Sequence, residues 1–307
     1  MYDLIGDIHG HAAALEALLL KMDYRIKEGV WQHPHRKAIF VGDYIDRGPA
    51  IRQTLQIVRS MQQSGHAIAL MGNHEYNALA YHYALPDGSF LREHNAVHNH
   101  QHRQTLLQFQ YHWPEWQSYL QWFYTLPLFT DLPQLRAVHA CWDEAAIEWL
   151  QTHGYTTMNE KLLLQSHEQG SYAFKVINHI LKGKEYNIPE QYAWKDKDGH
   201  TRTRNRYKWW LNAAESSYGQ FLFNCPPELQ DRMIEEGITS IAYPQEAKPV
   251  FFGHYWMEDS YPVIQASNVI CLDYSIAKGG HLVGYRWQGE GQVDNSHFVS
   301  THYNEAL

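Results

Sequence analysis

The sequence predicts an α/β fold with a metal-dependent site at the ends of its strands, and three observations point there. The N-terminal part alternates short apolar runs with amphipathic, helix-like stretches. Each apolar run ends on a glycine or a metal-type ligand: Gly6-Asp7-Ile8-His9-Gly10, Gly42-Asp43-Tyr44-Ile45-Asp46-Arg47-Gly48 and Gly72-Asn73-His74-Glu75. Two further runs, far along the chain, end the same way at Val138-His139-Ala140 and Gly253-His254. In α/β sheets, ligands bind in the crevice outside the carboxyl ends of the strands.

Tyr2 to Ile5 reads as the first strand and Ala12 to Lys21, rich in Ala and Leu, as a helix. Lys37 to Val41 is a second strand. Ile51, Leu55, Val58 and Met61 form a helical stripe over 51–64, which Gly65 should end. His66 to Met71 is a third strand. Residues 80–130 read as helical and aromatic, interrupted by Pro114 and Pro127, and Arg136 to Val138 returns as a strand. From 146 to 245 the alternation is lost among polar runs and scattered aromatics. This stretch is expected to be a cap-like insertion within one catalytic domain formed by 1–145 and 246–307. Pro249 to Phe252 resumes the core. Val269 to Asp273 and His281 to Trp287 read as a closing antiparallel hairpin.

Composition bounds the function. A chain of 307 residues can bury a substantial core. Its net charge of −8 argues against sequence-independent binding to nucleic acid, which needs a basic footprint. Cys141, Cys225 and Cys271 are odd in number and widely spaced, as in a reducing compartment. No apolar stretch is long enough to span a membrane. A ligand as early as Asp7 leaves no room for a cleavable leader, so a cytoplasmic protein is expected. The sequence sets no oligomeric state.

The five ligand segments carry the chemistry. Two divalent ions held roughly 3.5–4 Å apart need a bridging oxygen and a mixed nitrogen and oxygen set on each side. Asp7 and His9 alternate along an extended turn and can reach one ion; Asp43 can bridge; Asn73, His139 and His254 can complete the second. Such a set suits Mn first, with Fe, Zn, Ni or Co as alternatives. A shared hydroxide would be the nucleophile, because coordination lowers the pKa of water toward about 7. Arg47 offers a planar fork to phosphate oxygens. His74 could protonate the leaving oxygen, with Asp46 orienting the imidazole.

Taken singly, these residues have plainer uses. Asp7 and Asp43 could be helix caps, His139 or His254 a core histidine, and Glu75 a charge at a helix start. Taken together, each segment supplies a residue type that one mechanism requires.

These segments resemble the calcineurin-like metallophosphoesterase superfamily, in the branch of serine/threonine phosphoprotein phosphatases and symmetrical diadenosine tetraphosphatases. The resemblance covers about residues 1–80, 136–142 and 250–290. It implies a central sandwich of two mixed sheets flanked by helices. It implies Asp7, His9 and Asp43 on one ion and Asp43, Asn73, His139 and His254 on the other, His74 with Asp46 for proton transfer, and Arg47 for phosphate. Three positions depart from the phosphoprotein phosphatase pattern: Met71 replaces an arginine, Leu272-Asp273-Tyr274-Ser275 replaces Ser-Ala-Pro-Asn-Tyr, and Cys141 stands where a glycine is usual. The second of these, with Gly253-His254-Tyr255-Trp256, is closer to the tetraphosphatases.

Two weaker signals remain. Thr201 to Trp210 interleaves Arg202, Arg204, Arg206 and Lys208 with Tyr207, Trp209 and Trp210. Arg204 or Arg206 could clamp extra phosphate and an aromatic could stack a base. The plainer reading, a strand or helix edge with a solvated basic face and buried tryptophans, carries somewhat more weight. His94, His98, His100 and His102 are expected at the surface or the substrate rim, and Cys141 as a packing residue. The expected function is therefore two-metal hydrolysis of phosphate esters or anhydrides. Nucleotide-type substrates such as dinucleoside polyphosphates are favoured over phosphoproteins, with a non-catalytic scaffold as the contrasting possibility.

Overall fold

The computed structural model describes residues 1–188, 192–195, 201–223, 225–234, 240 and 242–302. Two compact units emerge, Met1–Lys182 with Lys248–Leu307, and Gly183–Ala247.

In the first unit, the strands Tyr2–Ile5, Lys37–Phe40 and Ala67–Ala69 pair in parallel, in that order. The helices Ala12–Lys21 and Ile51–Gln63 make the two crossovers. The second helix buries Ile51, Thr54, Leu55, Ile57, Val58 and Met61, the stripe that the sequence predicts, and Gly65 follows it at φ +79°. Three antiparallel strands complete this sheet: His281–Trp287 beside Tyr2–Ile5, then Asp273–Tyr274 and Phe298–His302 against His281–Trp287. A second sheet holds Val269–Cys271, Val250–Phe252, Arg136–Val138 and Phe129–Asp131, in that spatial order, the last antiparallel and the others parallel.

One core serves both sheets. Leu4, Ile39, Val41 and Val283 of the first pack in a single buried cluster with Ala137, Phe251 and Ile270 of the second. Burying a side chain of this size contributes about 1.5–3 kcal/mol. The apolar pattern that reads as strand ends is therefore the pattern that fuses the sheets, and the fold is the expected mixed α/β arrangement.

The expected closing hairpin needs correction. Val269–Cys271 pairs in parallel with Val250–Phe252 in the second sheet, and only Asp273–Tyr274 pairs with His281–Trp287 in the first. Leu272 is the crossing point, its N–H still donating to Phe252 O at 2.7 Å. The run is apolar throughout because it is buried on both faces, so its pattern carries no sign of the change of sheet.

Helices Asn73–His82, Ala96–Phe109 and Trp113–Phe123 follow the third parallel strand. Pro114 lies in the first turn of the last of these, where a missing N–H costs nothing, rather than interrupting a helix. Three more helices, Glu144–Thr152, Glu160–Gln165 and Tyr172–Lys182, end this part of the first unit. Among the described residues no helix is long and apolar enough to cross a membrane.

The second unit contains Glu185–Asn187 paired antiparallel with Arg204–Arg206, and Trp194–Lys195 paired with Thr201–Arg202. Arg204 is exposed, Arg206 half-buried, and Trp209 and Trp210 are buried.

Candidate metal centre

The loops that follow the strands of both sheets meet at one place. Ile8 and His9 donate their N–H groups to Asp43 O at 3.1 and 2.8 Å, and Gly10 N donates to Tyr44 O, so the first ligand loop lies on the second. Gly253 N donates to His139 O at 2.8 Å, joining the two loops of the second sheet. The sheets are then linked directly at the site, where His254 N donates to Asp7 Oδ2 at 3.0 Å. A side chain at position 253 would place its Cβ 1.9 Å from Asp7 Oδ1, so only glycine permits this approach.

The side chains converge as two donor clusters sharing Asp43: His9, Asp43 and His74 in one, and Asp43, His139 and His254 in the other. Asp43 Oδ1 lies 3.4 Å from His139 Nε2 and accepts the N–H of His74 at 3.0 Å, while Oδ2 lies 3.6 Å from His9 Nε2. Asn73 Oδ1 is 3.0 Å from His139 Nε2. The carbonyls of Ile45 and Val41 can only accept, so His9 and His139 donate Nδ1–H to them at 3.0 and 2.8 Å. Both imidazoles therefore turn their Nε2 atoms inward, an orientation usual for metal-ligating histidine.

The donor set fits a cation on grounds internal to this structure. Asp7 Oδ1 and His9 Nε2 are buried and have no hydrogen-bond partner. Buried polar atoms of that kind are expensive unless something satisfies them. His139 Nε2 faces only acceptor oxygens, a convergence relieved by a second proton or by a metal ion. The surroundings also shift the proton affinities of these groups. Burial lowers the affinity of His139 for a proton, but Asp43 outweighs it and the pKa is raised. Burial, Asp273 and Asp43 push the Asp7 carboxyl well up. Burial, Arg47 and His74 push His9 well down. Burial also works against ionised Asp43, yet His139 and His74 hold its pKa well below the usual carboxylate range.

His74 and Asp46, which the sequence analysis pairs, lie together: His74 Nδ1 donates to Asp46 Oδ2 at 2.6 Å. Arg47 Nη2 lies 3.4 Å from His74 Nε2. Two features escape the sequence reading. His102 is neither at the surface nor at the rim. It is 5% exposed and its Nδ1 donates to Asp46 Oδ1 at 2.8 Å, alongside Thr105 Oγ1 at 2.6 Å. His102 and Thr105 stand three residues apart on one helix face, and that spacing was the available signal. His94, by contrast, stacks on Tyr81 and Phe90.

The second feature is Glu75, which is more than a charge at a helix start. It closes a capping arrangement by accepting Gly72 N at 3.0 Å, and it also accepts Asp43 N at 2.9 Å and Tyr44 N at 2.8 Å. The loop bearing Asp43 is thus pinned to the helix bearing His74. Burial and the nearby Asp43 push the Glu75 carboxyl up to about 7.

Backbone strain concentrates here. His9, Asp43, Asp46, Arg47 and His254 all have φ between +45° and +67°. Left-handed conformations cost non-glycine residues about 1–3 kcal/mol each and persist where the surroundings enforce them. Arg204 and Arg206 belong to the second unit. Cys141 is fully buried, as expected of a packing residue.

A family model described as calcineurin-like phosphoesterase matches residues 2–255. Over 73 residues the chain is 42% identical to the asymmetrical bis(5'-nucleosyl)-tetraphosphatase PrpE of Oceanobacillus iheyensis, which is 24% of this chain and 29% of that one. The chain thus spans 29% of the length of this relative. It is 24% identical over 295 residues to the symmetrical bis(5'-nucleosyl)-tetraphosphatase of Vibrio parahaemolyticus, covering 93% of this chain and 94% of that one. A solved serine/threonine phosphatase of Saccharomyces cerevisiae is 14% identical, with a TM-score of 0.48, over 98% of this chain and 78% of that one.

Proposed function

The chain belongs to the calcineurin-like phosphoesterase family, and we propose that it is a two-metal hydrolase of phosphate esters or anhydrides. The carrying observation is the pair of donor clusters sharing Asp43, with Asp7 Oδ1 and His9 Nε2 left unpartnered beside them. In this reading Asp7, His9 and Asp43 hold one divalent ion, and Asp43, Asn73, His139 and His254 hold the other. Mn is the first choice, with Fe, Zn, Ni or Co as alternatives. Bound ions would supply an activated water and charge neutralisation at the phosphoryl group.

The protein's own groups do the rest. Arg47 sits next to the imidazole of His74 and orients a phosphate by its guanidinium fork. His74, held in one tautomer by Asp46, gives its Nε2 proton to the oxygen that leaves. His74 also lies within reach of the first ion cluster, with Nε2 3.9 Å from Asp43 Oδ2. The Arg47 guanidinium 3.4 Å from that Nε2 disfavours a metal cation on it, which supports the proton-transfer role over ligation. Residues 146–245 are read as an insertion within one catalytic domain; the separate compactness of 183–247 supports this for its later part, whereas 146–182 belong to the first unit. Arg204 and Arg206 remain candidates for further phosphate contact.

Nucleotide-type substrates such as dinucleoside polyphosphates are favoured, supported by Met71 and the Leu272 to Ser275 segment and by the full-length similarity to a symmetrical tetraphosphatase. A phosphoprotein substrate is the second reading, since the Gly42–Gly48 and Gly72–Glu75 motifs suit either. A panel of dinucleoside polyphosphates, 5'-phosphorylated oligonucleotides and phosphopeptides, assayed with Mn, separates the two. A large kcat/KM advantage for phosphopeptides would overturn the nucleotide preference. D43N should lose both bound metal, measured by elemental analysis, and turnover; retained metal stoichiometry would contradict the shared-ligand role.

A further inference from the structure

Beside the donor clusters, three loops of the first unit converge on one indole. Arg47 Cζ lies 4.7 Å from the ring centroid of Trp256, and Lys278 Nζ lies 3.7 Å from it. A single ring thus carries two cations, although like charges so close repel each other.

The chain is bent to achieve this. Arg47 has φ +66°, Trp256 +43° and Ser275 +60°, and Ser275 opens the short turn Ile276–Lys278. The buried carboxylate of Asp273 ties two of these bends together, accepting Trp256 N on Oδ2 and Ser275 N on Oδ1, each at 3.0 Å. Gly280 closes the turn so tightly that a Cβ there would lie 2.1 Å from Tyr274 O. Strain of this kind, at Arg47, at Trp256 and at the start of the turn that carries Lys278, clusters at functional sites.

We propose that Lys278, backed by Trp256, forms a subsite for a second phosphate group next to the one held by Arg47. The preferred substrate is then a phosphoanhydride chain rather than an isolated phosphomonoester. This inference rests on the phosphoesterase reading and deepens it. Arg47 presents a rigid fork suited to the phosphate at the reaction centre, whereas Lys278 is an exposed point charge with three rotatable donors. That flexibility suits the next phosphate along a chain, whose oxygens adopt many orientations. The indole gives both charges a low-dielectric backing that strengthens their hold on anions. A phosphorylated side chain of a protein offers one phosphate followed by peptide, and would leave Lys278 idle.

The test is calorimetric titration of Mn-loaded protein, at matched free Mn, with orthophosphate and with imidodiphosphate, whose P–N–P linkage resists hydrolysis. Wild type should bind imidodiphosphate more tightly than orthophosphate. K278M should reduce that preference about tenfold, the scale of one lost charge-assisted hydrogen bond, and K278R should restore most of it. An equal change in both affinities, or no change, overturns the subsite. The titration does not depend on turnover. Failure to hydrolyse both p-nitrophenyl phosphate and a dinucleoside polyphosphate with any of Mn, Co, Ni, Zn or Fe would instead sink the phosphoesterase reading, leaving the affinity ratio to judge Lys278.

Discussion

Asp46 carries more contacts than a helper of His74 requires. Its Oδ2 holds His74 and its Oδ1 accepts both His102 and Thr105, so both carboxylate oxygens are engaged. His102 Nε2 in turn lies 3.4 Å from His82 Nε2, which accepts the indole N–H of Trp116 at 3.0 Å. Replacing His74 with Asn should slow substrates with poor leaving groups by about 10²–10⁴, and those with good ones much less. H102Q should act in the same sense but more weakly, with metal content intact. The measurement is kcat/KM across aryl and alkyl phosphates of graded leaving-group pKa; a loss that ignores the leaving group would contradict both roles. The six candidate metal ligands can be proposed from sequence because each stands in a segment that closes an apolar run. His102 was not, because it is one of four histidines within nine residues of sequence, and only packing against Asp46 distinguishes it. Nor did any residue type announce the left-handed backbone at Asp43 or His254, which neighbouring loops impose.

At the level of elements, the sequence marks parallel strands and their crossover helices well. The stripe on Ile51–Gln63 and the glycine after it leave little choice. Short strands such as Phe129–Asp131 and Phe298–His302 escaped, since three to five residues cannot establish a period against their flanks. The change of sheet at Leu272 escaped for a different reason, because a strand buried on both faces looks alike in either sheet. One element pairing stands out for its energetic weight: the helix Asn73–His82, joined through Glu75 to the loop bearing Asp43. E75Q replaces an acceptor oxygen by an NH₂ group that points at backbone donors. Leaving a buried group unsatisfied costs about 1–3 kcal/mol, more where a charge is involved. The variant should unfold at lower urea concentration when metal-free and bind Mn more weakly. A native urea midpoint together with native Mn affinity would show that the helix and loop are held by something else.

For the molecule as a whole, the candidate ligands come from both sheets: Asp7, His9, Asp43 and Asn73 follow strands of the first, His139 and His254 strands of the second. Bound ions would therefore cross-link the two layers of the core. Saturating Mn at about one hundred times its Kd should stabilise the folded state by about 2.7 kcal/mol, equivalent to a rise in Tm of about 5 °C. Scanning calorimetry with Mn and with EDTA measures the gap, and D43N should close most of it. A Tm indifferent to saturating Mn would contradict a site built across the sheets. The left-handed residues at this junction carry one more consequence, for anyone breeding the protein for heat resistance. Glycine at positions 9, 43, 46, 47 or 254 would relax the bend at each, so a selection that rewards survival at high temperature alone will be drawn toward discarding the candidate metal ligands, Asp46 and the candidate phosphate arginine. Selection rounds need to alternate endurance with turnover, or the lineage will arrive at a sturdier and idle descendant.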